Sequence, residues 1–224
     1  MRELANSMID LVLGRTCAGC DEPGIGLCDG CTRALQPRVR LRRDLDVGDV
    51  VEGLRIPVVC ALDYRGIVRQ VLYRYKDHRI RQLAGVLGPA LGLSVAFAAD
   101  RAGVPARVAL LTPMPTRRDS LRRRGFDATA LLANEASKHV ATSGIRHLLV
   151  DTRTGGAAKH VGAFERELRA IDAFRVRRER ALPTKPVILV DDIVTTGSTT
   201  KEAVETLLMA GVQVVAVATV AGTP

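Results

Sequence analysis

Apolar residues along this chain follow two rhythms. The runs Val187-Ile-Leu-Val190 and Ile56-Pro-Val-Val-Cys-Ala-Leu62 are short and mostly β-branched, and they predict buried strands. Residues 107–112 predict another, stopped by Pro113 and Pro115, and residues 148–151 and 212–220 add two more. Between these runs, apolar positions recur at three- and four-residue spacing over residues 67–75, 80–99, 127–140 and 161–171, which predicts helices. A further helix is expected over 200–210, with Ala203, Val204, Leu207 and Leu208 on one face, and Asp127 sits where a cap would start its helix. Leu4, Met8, Leu11 and Val12 predict a short amphipathic helix at the amino end. Residues 36–53 show neither rhythm and read as a linker or an irregular extension. Strands alternating with helices imply an α/β fold with a mainly parallel sheet and helices on both faces.

The strand at 187 ends on two adjacent acids, Asp191 and Asp192. A loop of hydroxyls and one glycine follows, Thr195, Thr196, Gly197, Ser198 and Thr199, and then the helix. Free backbone N–H groups and the positive end of the helix dipole suit such a loop to a phosphate. Asp, Thr and Ser also start helices simply as caps, but capping does not call for two consecutive acids at the end of a buried strand. Carboxylates beside a phosphate cradle suit a ligand that brings hydroxyl donors or a divalent cation. A P-loop would need a lysine in this loop, and a dinucleotide fingerprint would need three spaced glycines.

These residues resemble the signature of type I phosphoribosyltransferases, which bind 5-phosphoribosyl 1-diphosphate (PRPP). The resemblance implies that Asp191 and Asp192 contact the ribose hydroxyls at the catalytic centre. It implies that Thr195, Thr196, Gly197, Ser198 and Thr199 hold the 5′-phosphate, and that Mg²⁺ accompanies PRPP.

A second cluster lies near the amino end, where Cys17-Ala-Gly-Cys20 is followed by Cys28-Asp-Gly-Cys31. Two such pairs can converge four thiolates on one tetrahedral Zn²⁺. Gly19 and Gly30 lie inside the knuckles, where turns are tight. The alternatives are disulfides, which need an oxidising compartment, or an iron–sulfur cluster, whose spacings usually differ. Glu3 and Asp10 interrupt any export signal, and no apolar run reaches the length of a membrane span, so a cytoplasmic location is expected. Cys60 stands alone in an apolar run and reads as a core residue.

The formal charge of +9 points to polyanionic partners such as nucleic acid or nucleotides. Arginines outnumber lysines 28 to 5, a bias that an arginine-rich, GC-rich genome would also give. The basic stretch 65–81, with Tyr73 and Tyr75, is the best candidate track for single-stranded DNA.

Further segments are similar to the ComF (GntX-like) family, which joins a four-cysteine zinc knuckle to a phosphoribosyltransferase-like domain. They are Tyr64-Arg-Gly66, Val71-Leu-Tyr-Arg-Tyr-Lys76, Thr112-Pro-Met-Pro115 and Arg122-Arg-Arg-Gly-Phe126. The resemblance implies a zinc module over residues 1–36 and a phosphoribosyltransferase-like domain over 54–224. It implies glycosyltransferase chemistry on PRPP with an unknown acceptor, a link to DNA uptake, and room for a protein partner. Arg124 and Lys159 would hold the diphosphate, the latter from a mobile loop with Arg153 and His160. Asp127 and Ala128 stand where the family usually has Asn and Gln, so any contact made there is altered.

Overall fold

The computed structural model describes residues 16–24, 26–153, 173–177 and 181–223. The helices expected over residues 4–12 and 161–171, and the loop with Lys159 and His160, lie outside the described residues. The remaining chain runs α1 (Asp29–Ala34), β1 (Arg40–Asp46), β2 (Arg55–Asp63), α2 (Gly66–Lys76), α3 (Ala84–Arg101) and β3 (Leu110–Pro113). It continues through α4 (Arg118–Arg124), α5 (Ala128–Ala136), β4 (Leu149–Asp151), β5 (Phe174–Val176), β6 (Val187–Val194), α6 (Ser198–Met209) and β7 (Val214–Gly222).

Five strands form one sheet in the order β1-β2-β7-β6-β3. All neighbours are parallel except β1, which pairs antiparallel with β2. The alternation expected of a sheet covered on both faces is visible in β6. Ile188 and Val190 join the core cluster under α2, α3 and α5, whereas Val187 and Leu189 join the one under α6. Cys60 is fully buried in β2, as its apolar run suggests.

Several sequence-based expectations are corrected. Residues 36–53 are not simply a linker, because β1 lies there and completes the sheet edge. Its polar composition hid it, since an edge strand needs few buried side chains. The strand expected over 107–112 begins only at Leu110, after a short 3₁₀ turn at Ala106–Val108. The helix expected over 80–99 opens as a 3₁₀ turn at Arg81–Leu83 before α3. Residues 148–151 do form a strand, but it pairs with β5 in a separate two-stranded antiparallel sheet.

One helix, spanning Arg81–Arg101 with its 3₁₀ start, has the length and apolarity to cross a membrane. Its apolarity is accounted for by packing, because Leu87, Leu91, Val95 and Ala98 are fully buried between the sheet and α5. The two helices approach closely at glycines. A Cβ on Gly88 would fall onto the Glu135 side chain and within 3.2 Å of its backbone carbonyl carbon, and one on Gly92 would lie 3.2 Å from the Ala136 carbonyl oxygen. Gly88→Ala is therefore expected to push α3 from α5 and cost about 1–3 kcal/mol. That corresponds to a fall of roughly 2–10 °C in thermal melts, and an unchanged melting temperature would refute the close-packing account.

The cysteine module packs on α2. Arg74 donates to the Cys17 carbonyl at 3.1 Å and pairs with Asp21, while Ala18 and Leu35 enter the same core cluster as Val68 and Leu72.

Candidate functional site

The parallel strands end on one side of the molecule, and there β6 passes through a short loop into α6. Gly197 has φ +82, a left-handed conformation that lets the chain turn into the helix without a Cβ penalty. The loop is held from behind by β1. Arg43 donates through Nη1 to the Thr196 carbonyl at 2.6 Å and through Nη2 to the Thr195 carbonyl at 3.0 Å. The Thr223 hydroxyl donates to the Thr195 carbonyl at 3.2 Å. With those carbonyls occupied on one side, Thr195, Thr196, Gly197 and Thr199 line a cleft of about 280 Å³ on the other. Ser198 is outside the lining, and its hydroxyl lies 3.1 Å from that of Thr196.

Asp191 and Asp192 line the same cleft. They lie within β6, which runs two residues beyond them rather than ending on them. Lys76, the last residue of α2, places its Nζ 2.5 Å from Asp192 Oδ2. Burial lowers the Lys76 pKa, but the charges of Asp192 and Asp191 outweigh it and hold the ammonium protonated. Burial, then the neighbouring Asp192 charge, pushes the Asp191 carboxyl well above the carboxylate range, and Lys76 opposes that rise only in part.

Replacing Lys76 with methionine keeps the stem and removes the charge, so Asp191 would hold its proton to still higher pH. A carboxyl group whose folded pKa exceeds its unfolded value of about 3.9 favours the fold below that value. This contribution is lost as pH rises through the folded pKa. Lys76→Met is therefore expected to lose stability relative to the parent progressively as pH rises. The loss should be on the order of 3 kcal/mol once the carboxyl is ionised, as for a broken buried ion pair. Thermal melts across pH check this, and a pH-independent difference would contradict it.

Arg124 also lines the cleft, largely buried, with its Nη2 3.6 Å from Asp77 and its Nε buried without a hydrogen-bond partner among the described residues. Arg153 is turned elsewhere: it pairs with Asp151 and lies over the Phe174 ring. Asp127 caps α5, accepting from the Ala130 N–H at 3.1 Å and from the Thr116 hydroxyl at 2.8 Å. Lys76, Thr116, Arg117 and Thr129 line the cleft without having been singled out from the sequence. Lys76 stood inside a quoted motif, so that motif was the one available signal for it.

At the amino end, the four sulfurs of Cys17, Cys20, Cys28 and Cys31 lie within 4.8 Å of one another, and Cys20 and Cys28 are 3.7 Å apart. A tetrahedral site with Zn–S bonds of about 2.3 Å requires sulfur spacings of roughly 3.8 Å. Backbone N–H groups of Gly19 and Cys28 point at Cys17 Sγ, at 3.4 and 3.3 Å. Burial raises the Cys17 pKa, but the N–H groups of Cys28, Gly19 and Cys20 outweigh it and bring the thiol down to about 6. Gly19 is required for space, since a Cβ there would meet Cys31 Sγ at 2.5 Å, whereas Gly30 lies in open α1. All five cysteines are free in the structure. The four-cysteine cluster is compatible with a structural zinc site.

Residues 121–224 match the family described as phosphoribosyl transferase domain. With the mostly parallel sheet and the loop-and-acid cleft, the chain is a protein with a phosphoribosyltransferase domain behind a four-cysteine cluster. This is the ComF-like organisation that its motifs resemble. Along most of its length it is similar to DNA utilization protein YhgH of Salmonella typhi, at 27% identity over 206 residues, covering 86% of this chain and 88% of that one. The proteins of the same name from Shigella flexneri and Escherichia coli strain K12 are each 29% identical over 162 residues, covering 71% of this chain and 69% of their own.

Proposed function

We propose that the cleft at the carboxyl end of β6 binds PRPP and that the protein is a phosphoribosyltransferase, of the glycosyltransferase class. The observation that carries this reading is the convergence of the Thr195–Thr199 loop and the Asp191–Asp192 pair on one cleft. The loop would hold the 5′-phosphate through N–H groups and hydroxyls. Asp191 and Asp192 would accept hydrogen bonds from the ribose hydroxyls and so fix C1 for attack. Lys76 offsets part of their charge, which lowers repulsion toward an anionic ligand. Arg124, with an Nε that has no hydrogen-bond partner among the described residues and a weak ion pair, is placed to take the diphosphate, and Lys159, outside the described residues, is a further candidate. In the reaction the acceptor forms a bond to C1 while the C1–O bond to diphosphate breaks, and the arginine stabilises the leaving group's charge. The carboxylate oxygens lining the cleft are hard donors that fit Mg²⁺, which would neutralise diphosphate when bound with PRPP. The four thiols would hold a structural Zn²⁺. Incubation with PRPP, Mg²⁺ and a panel of nucleobases, read as diphosphate release, tests this reading. Release with one acceptor is the expected result, and none with any acceptor, alongside no PRPP binding, would remove it.

The second reading is a nucleic-acid-handling protein without turnover. The names of the relatives favour it, and so does the formal charge of +9. The track over residues 65–81 supports it only in part. Tyr75 is fully buried and its hydroxyl donates to the Ala128 carbonyl at 2.6 Å, so it offers no stacking face. Arg74 is held against the cysteine module, and Arg81 lies 5.2 Å from the Phe126 ring centroid. What remains exposed is Tyr73 with Arg65, Arg69, Arg79 and Arg81, of which Arg65 is paired with Asp63 and Arg81 lies against Phe126, so that Arg69 and Arg79 are the cations left over. Binding of single-stranded DNA through so few cations should be weak. Its salt dependence should be shallow, near 0.7 log units per log unit of salt for each phosphate contacted. A steep slope that Arg69→Gln plus Arg79→Gln leaves unchanged would place DNA elsewhere on the surface.

A further inference from the structure

A second cleft, of about 290 Å³, opens on the same end of the sheet. Its walls come from four separate segments: Arg33 at the end of α1, Arg38 and Arg40 around the start of β1, Asp63 at the end of β2, and Arg65 before α2. Four guanidinium groups thus face a single carboxylate. Asp63 answers only two of them, with Arg40 and Arg65 at 3.4 and 3.3 Å from the same oxygen, Oδ2. Its other oxygen, Oδ1, is buried without a hydrogen-bond partner among the described residues. Arg33 and Arg38 make no ion pair among the described residues. Ile67 and Val68 from α2, with Leu62, supply an apolar side to the cleft. The α2 end at Arg65 has no side-chain cap and no acid in its first turn, so its N–H groups add to the positive field.

We propose that this cleft is a second ligand site, for a nucleoside monophosphate. The two arginines without a carboxylate partner match a phosphate dianion, which guanidinium groups bind in a bidentate manner. The apolar side, flanked by arginines that can stack on an aromatic face, matches a base. Asp63 matches a hydroxyl or amino donor, which would satisfy a carboxylate left half-paired. A bare phosphate would leave the apolar side and Asp63 unmet, and an apolar ligand would leave the arginines unmet. The volume suits one nucleotide rather than a run of them. The site is distinct from the first cleft but close to it. Asp63 pairs in register with Gly222 of β7, which pairs with Val194 of β6 at the start of the Thr195–Thr199 loop. Two strand spacings put the clefts roughly 10 Å apart across the sheet.

The test is calorimetric titration of AMP, CMP, GMP and UMP into the full chain with PRPP present in excess, so that the first cleft is filled. One equivalent of at least one nucleotide is expected to bind. Arg33→Gln plus Arg38→Gln, both at exposed positions, should weaken it about tenfold or more and leave PRPP binding unchanged. Asp63→Asn should weaken the nucleotide but not inorganic phosphate. No nucleotide binding, or equal binding by the arginine variant, would overturn the proposal. Displacement by inorganic phosphate as effective as by the nucleotide itself would overturn the assignment to a nucleotide. Preference for oligothymidylate that grows with length would overturn it in favour of a strand. If PRPP itself fails to bind, the reading of the first cleft falls, and the arginine variant alone still decides the second.

Discussion

Purified protein is expected to contain one zinc ion per chain, and chelation is expected to open residues 16–35 to protease while the sheet stays folded. The reason is the size of the module. A few tens of residues cannot bury enough apolar surface to stay folded alone. Among its described residues the buried ones are few: Cys17, Ala18, Gly19, Cys31 and Leu35. Structural zinc contributes on the order of 10 kcal/mol in such modules, more than those contacts supply. Changing all four of Cys17, Cys20, Cys28 and Cys31 to serine should abolish the metal content. Unchanged zinc in that variant would place the ion elsewhere.

The second large effect is expected at the paired acids. Asp191→Asn plus Asp192→Asn should lower PRPP affinity at least tenfold in calorimetry, because hydrogen bonds to a charged acceptor are worth about 1.5–3 kcal/mol each. The change also removes negative charge beside a polyanionic ligand, which by itself would favour binding. A loss against that trend therefore isolates the hydroxyl contacts. Equal binding by variant and parent would remove the ribose role. Because Lys76 loses its partner in the same variant, melting curves should accompany the titration.

What could be read from the sequence was local. The β6–loop–α6 unit and the paired cysteines each lie within a short window, so their spacing carries their geometry. What could not be read was non-local. Arg43 reaches the loop across 152 and 153 residues of sequence, from a strand whose polarity concealed it. The stretch 73–76 shows the same limit in miniature. On a helix each successive residue turns by about 100°, so four neighbours face four directions. Tyr73 is exposed, Arg74 meets Cys17, Tyr75 enters the core and Lys76 meets Asp192. Read as a string they resemble one basic, aromatic surface, and only the packing separates them.

The placement of β1 bears on where the chain can be cut. A fragment beginning at residue 54 would keep every residue of the β6–α6 unit. It would also uncover β2, whose buried run Val58–Leu62 would become a long apolar border with unpaired N–H and C=O groups. Such borders recruit strands from other molecules. As built, the outermost strand carries Arg40, Arg42 and Arg43, and charged side chains on an outer strand discourage that recruitment. The arginines of β1 thus serve solubility as well as the loop, and a shortened fragment is expected to aggregate before it can be assayed.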